Sequence, residues 1–242
     1  MEEKTSSAKP AFDWQSAMDE MKKYVFQIQT PSTTGTGFLV ASTEQDGVIG
    51  IATAFHVIKD VYEWGQPLKL THYSSGVTAL LKEGDRSIHP FEKSDCALIR
   101  LANTHLKVSS ETPELMKAGF FKGVGVEVGW CGFPAVYPSA VCFFSGRISA
   151  YLSEQGAYLV DGVAINGVSG GPVFGMYSDV IGLVTAYIPN RATGEPLPGV
   201  SLIRSIEPLV KFFKEREDEP PKAADDTKIN EPRTSASEPA GR

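Results

Sequence analysis

The sequence has no apolar run near the roughly 20 residues that a membrane-crossing helix needs. Its opening stretch, MEEKTSSAKPAFDW, is polar and acidic where a secretory leader is apolar. An excess of positive charge is also missing. The net charge is −6 and the pI about 5.3, which argues against a nucleic-acid partner, since such proteins carry a basic face. Cysteine is scarce: Cys96, Cys131 and Cys142 are an odd number in a chain of 242 residues, which is long enough to bury a core without disulfides. With no leader at the start, this points to a reducing, cytoplasmic setting. No H-E-x-x-H or C-x-x-C spacing occurs, and the histidines and cysteines are scattered, so neither a metal site nor a cofactor is expected.

What the chain does contain is turn formers and short apolar runs. The 23 glycines and 16 prolines favour short strands and turns over long helices, in a chain of ordinary 42% hydrophobic content. Trp14, Ala17, Met18 and Met21 recur at near-helical spacing, so residues 1–23 read as an N-terminal arm ending in one short amphipathic helix over 13–23. From Tyr24 to Arg204 the pattern becomes a series of β-rich runs separated by Gly, Pro, Asn, Asp and Ser. About six runs precede the less strand-like stretch 102–119 and about six follow it. The absence of helix-sized segments between them disfavours a parallel α/β sheet. We therefore expect an all-β protein of two six-stranded antiparallel barrels, over 24–110 and 111–205. A closing helix is expected over 206–214, packing Leu209, Val210 and Phe213. Residues 215–242 hold Ile229 as their only large apolar side chain. They read as a disordered polar tail, either merely solvated or a tether for a partner.

Three segments carry chemistry. One is a strand running from Gly50 into His56, another is Asp95 opening an apolar strand, and the third is the glycine-dense loop Asn166-Gly167-Val168-Ser169-Gly170-Gly171-Pro172. A nucleophilic serine needs an exposed hydroxyl and backbone N–H groups aimed at a developing oxyanion, and glycines permit the sharp backbone this demands. A base must take the Oγ proton, and an acid must hold the imidazole. The order His56, Asp95, Ser169 is that of the chymotrypsin-type arrangement. Gly167-x-Ser169-x-Gly171 also matches the nucleophile elbow of α/β-hydrolases. That fold needs a histidine after the serine, yet all four histidines (His56, His72, His89 and His105) precede Ser169, which excludes it.

With these motifs in hand, the chain resembles the trypsin-like (chymotrypsin-fold) serine peptidases, especially the bacterial branch near the Htr/Deg proteases. The resemblance runs through Thr36-Gly37-Phe38-Leu39-Val40, the histidine motif around His56, Asp95-Cys96-Ala97-Leu98-Ile99, Gly129 to Pro134, Asn166 to Pro172 and Val180 to Tyr187, covering about 24–210. It implies a serine endopeptidase acting on protein or peptide through an acyl-enzyme. His56, Asp95 and Ser169 would be catalytic, and the Gly167 and Ser169 N–H groups would form the oxyanion hole. By family spacing Val163, Asn166, Thr185, Ala186 and Tyr187 would bind substrate. Val163 stands where a trypsin-specific pocket carries an acid, which implies small or medium apolar P1 residues, although Asp161 lies close by.

Two departures stand out. Phe55 replaces the usual alanine before the histidine and could crowd it. Val168 replaces the usual Asp or Asn before the serine, so activation by a newly cut N-terminus is not expected. They support a second reading, a weak or inactive protease fold used as a binding scaffold. The chain length leaves no room for a PDZ domain, so control by a regulatory protein partner is expected. The oligomeric state is unknown from sequence.

Overall fold

The protein is described by a computed structural model that covers residues 13–43, 47–189 and 196–218. The arm before Asp13 and the polar tail from residue 219 onward lie outside the described residues.

Helix α1 (Trp14–Met21) starts where Asp13 caps it, its carboxylate accepting the Ser16 N–H at 2.7 Å. The helix is shorter than the sequence suggests and passes into a 3-10 turn over Lys22–Tyr24, so Tyr24 precedes the first strand. Ala17 and Met21 are buried. Trp14 packs on Phe143 and Phe174, and its indole N–H donates to Glu127 at 2.9 Å.

The first half holds β1 (Val25–Gln29), β2 (Thr34–Thr43), β3 (Val48–Thr53), β4 (Leu68–His72), β5 (Thr78–Leu81), β6 (Arg86–Phe91) and β7 (Cys96–Ala102). They form an antiparallel sheet in the order β5-β4-β1-β2-β3-β7-β6. Strand β4 shows the expected alternation, with Leu68, Leu70 and His72 inward. In β3, Ile49 through Thr53 are all buried, because the strand is central and covered on both faces. The expected chymotrypsin-like two-barrel arrangement holds, with the first half a seven-stranded half-barrel sheet instead of a six-stranded barrel. The additional strand is β6, whose Pro90 reads as a breaker. Pro90 lies on the last strand of the sheet, opposite Ala97 of β7, and a missing N–H is tolerated at that edge.

A second correction concerns His56. β3 ends at Thr53, and His56 is the second residue of α2 (Phe55–Trp64), a helix with no counterpart in the sequence reading. Phe55, Ile58 and Val61 are buried at helical spacing, and Gly65 closes the helix with φ +61°. The run Ile51 to Ile58 is almost wholly apolar, and such a run carries no period that separates strand from helix.

The second half is a closed barrel of β8 (Glu127–Gly132), β9 (Cys142–Leu152), β10 (Ala157–Asp161), β11 (Pro172–Phe174), β12 (Val180–Pro189) and β13 (Pro196–Ser205), in the order β10-β13-β12-β11-β8-β9. Trp130, Tyr158, Val160, Val173, Ile181 and Ile203 fill it. The final helix α3 (Glu207–Asp218) runs four residues into the segment read as tail. Leu209 is buried, and Val210 and Phe213 pack against the core. Phe212 lies against His89 and Phe91 at 4.4 and 5.7 Å, so a helix leaving the second barrel covers the edge strand of the first sheet.

Candidate active site

Asp95 joins the N-terminus of α2 to the imidazole. It sits before β7 with φ 44° and ψ 45°, a left-handed conformation that Asp adopts more readily than most residues. Its backbone carbonyl accepts the Phe55 N–H at 3.1 Å, and its Oδ1 accepts the His56 N–H at 2.9 Å. Two of the orphan donors at the helix start are thereby satisfied by one residue. Its Oδ2 lies 2.7 Å from His56 Nδ1. A carboxylate only accepts, so Nδ1 carries the proton and Nε2 of a neutral imidazole keeps its lone pair. The His56 side chain is 46% exposed and that of Asp95 26%, which leaves the ring reachable while its partner is sheltered. Phe55 turns into the core, edge-on to Tyr62, while the neighbouring His56 side chain faces solvent.

The serine loop is a type II turn followed by a sharp reversal. The Val168 N–H donates to the Ile165 carbonyl at 3.0 Å, and Gly167, at the third position, has φ +92°. A Cβ there would collide with the Phe133 carbonyl, so glycine is required twice over. The Asn166 carbonyl accepts the Ala135 N–H at 2.7 Å, and the Val168 carbonyl accepts the Gly171 N–H at 2.9 Å. In a trans peptide the N–H points opposite to the C=O. The Gly167 and Ser169 N–H groups therefore face away from those anchors, and neither has an acceptor among the described residues. Val168 is fully buried in the barrel core, where an apolar side chain needs no hydrogen-bond partner.

His56, Asp95 and Ser169 line one cavity of about 340 Å³, together with Asn166, Thr185, Ala164 and Ile165. The structure thus brings five of the residues selected from sequence to one place. Val163 is not among the lining residues and is 51% exposed. Ala186 and Tyr187 follow Thr185 on β12, paired with Leu202 and Ser201, and their side chains lie outside the described residues. Asp161 does not line the cavity. Its carboxylate accepts the Arg147 N–H across the β9–β10 pair.

Ala164 and Ile165 fall inside the stretch 163–166 that the sequence reading gave to the pocket, whereas Ser201 escaped it. The Ser201 hydroxyl accepts the Ala164 N–H and donates to the Gly162 carbonyl, both at 2.7 Å, which pins the cavity wall to β13. A serine in an apolar strand carries no signal of this bond, because its partners lie 37 and 39 residues away. Burial pushes the thiols of Cys96 and Cys131 far up, so both are inert. Among the described residues no cluster of His, Cys, Asp and Glu could hold a metal ion, and no helix is long and apolar enough to cross a membrane.

Comparison with known proteins defines the class. The sequence model of the trypsin-like peptidase domain matches residues 35–183, so the chain belongs to that family. Its fold is similar to that of crystalline Deg5, with a TM-score of 0.61 and 19% identity, over 81% of this chain and 90% of that one. It is also similar to Rv3671c from M. tuberculosis H37Rv in an inactive serine-to-alanine form, with a TM-score of 0.58 and 17% identity, over 89% and 97% of the two chains. No curated protein sequence matches the chain.

Proposed function

We propose that the protein is a serine endopeptidase with Ser169 as nucleophile, His56 as base and then acid, and Asp95 as the group that orients His56. The observation that carries this is the His56–Asp95 bond of 2.7 Å opening on the cavity that Ser169 also lines. Ser169 Oγ bonds to the carbonyl carbon of a peptide as its proton passes to His56 Nε2. That proton then goes to the leaving amine as the C–N bond breaks. Water hydrolyses the resulting ester with the same histidine as base, which restores Ser169. The Gly167 and Ser169 N–H groups have no acceptor among the described residues, which supports their role as donors to the oxyanion.

Small or medium apolar P1 residues suit the cavity. Ala164 and Ile165 line it, and Asp95 is the only carboxylate among the described residues doing so. Phe55 and Val168, the two departures that favour a non-catalytic scaffold, are both buried and neither lines the cavity, which supports the catalytic reading.

Turnover of a peptide library tests this reading. Ser169→Ala and His56→Gln should each lower kcat/KM by about 10³-fold or more. Cleavage should follow Ala, Val or Leu. Cleavage confined to Arg or Lys would refute the P1 assignment, and turnover unchanged in Ser169→Ala would refute the mechanism.

A further inference from the structure

The serine loop is gripped by a single side chain from the opposite half of the molecule. Thr36, on β2, is fully buried. Its hydroxyl donates to the Gly167 carbonyl at 2.8 Å and accepts the Phe133 N–H at 3.0 Å. Its backbone N–H donates to the Ser169 carbonyl at 2.9 Å, and its own carbonyl accepts the Thr53 hydroxyl at 2.7 Å. The neighbouring chain is bare to make room. A Cβ on Gly132 would stand 2.6 Å from the Thr36 hydroxyl oxygen, and one on Gly170 would collide with the Thr36 carbonyl.

These bonds close a ring. Ala135, two residues beyond Phe133, holds the Asn166 carbonyl at 2.7 Å, and Asn166 precedes Gly167. The Thr36 hydroxyl therefore ties the Phe133–Ala135 segment to the type II turn of Ile165–Val168. We propose that Thr36 is a positioning residue for Ser169. Its hydroxyl holds the turn in the one conformation that faces the Gly167 N–H toward the cavity. This rests on the peptidase reading above.

The physical reason is that the Phe133 N–H and the Gly167 carbonyl are both buried. Removing the hydroxyl leaves a donor and an acceptor without partners, which is costly in a dry interior. The repair open to the loop is rotation of the Gly167–Val168 peptide, which bears that carbonyl. That rotation takes the Val168 N–H off the Ile165 carbonyl, and the opened turn no longer holds the Gly167 N–H where an oxyanion forms.

The test compares Thr36→Val, which keeps the shape and loses the hydroxyl, with Thr36→Ser, which keeps the hydroxyl. Thr36→Val should lower kcat about 10- to 100-fold with KM within threefold of wild type, and Thr36→Ser should recover most of that loss. Amide exchange supplies a readout independent of turnover. In Thr36→Val the Val168 N–H, which closes the turn, should lose protection at least tenfold while the β3 amides stay protected. Unchanged Val168 protection, an unchanged kcat, or a serine variant as impaired as the valine one would overturn the proposal. A wild-type protein without Ser169-dependent turnover would sink the peptidase reading instead. The exchange data would still decide whether Thr36 holds the loop.

Discussion

Asp95 shows how much one residue can carry. Its backbone carbonyl, one carboxylate oxygen and the other carboxylate oxygen hold, in turn, the Phe55 N–H, the His56 N–H and the His56 ring. Asparagine tolerates the same left-handed backbone and can still accept the His56 N–H. Its amide group, however, would present N–H to Nδ1 and force the wrong tautomer. Asp95→Asn should therefore leave the melting temperature within a few degrees and lower kcat by about 10³- to 10⁴-fold. Stopped assays and thermal melts on the same preparation would check both halves of that expectation. The candidate triad was legible because each member sits in a short motif and the three occur in one order. Thr36 was visible only as part of a strand motif, and Ser201 not at all. Their roles depend on hydrogen bonds across 131 and 39 residues, which no local pattern encodes.

At the scale of elements, α1 anchors the start of the described chain against the second barrel. α1 is tied down mainly by Trp14, which is half-buried against Phe143 and Phe174 and hydrogen-bonded to Glu127. Trp14→Ala should cost about 2 kcal/mol, less than the 3–5 typical of a fully buried ring. Urea unfolding would show this as a lower midpoint at unchanged slope. The turn after α1 is held by His72 on β4, whose Nε2 bonds the Lys23 carbonyl at 2.7 Å and whose Nδ1 meets the Ser75 hydroxyl at 2.9 Å. Burial lowers the His72 pKa from its ordinary value of 6.5, outweighing the bond to Lys23. The unfolded chain then binds the proton first. The contribution to stability is complete above pH 6.5 and is lost as the pH falls below it. Melting temperature should accordingly fall between pH 7 and pH 5, and His72→Gln, with no proton to bind, should flatten that slope. An identical slope in the variant would refute the assignment. Strand β6 and helix α2 are the elements the sequence hid. One contains a proline that only an edge strand accommodates, and the other begins inside an apolar run without a period.

The whole molecule places its candidate chemistry at the seam between two β structures of different closure. The first sheet supplies His56 and Asp95 and, through Thr36, a grip on the loop that carries Ser169 from the closed barrel. The all-β class and the strands of the second half were readable from alternation and turn residues. The open edge of the first sheet was not, because closure depends on which strands pair and on the helix that covers β6. The central claim is that this seam is a working acyl-transfer site at Ser169. Intact-mass measurement after treatment with a fluorophosphonate tests it most directly. The account predicts one adduct per chain, mapped to Ser169, abolished in Ser169→Ala and slowed by at least 10²-fold in His56→Gln. No adduct on the wild-type protein, or labelling that persists in Ser169→Ala, would contradict it.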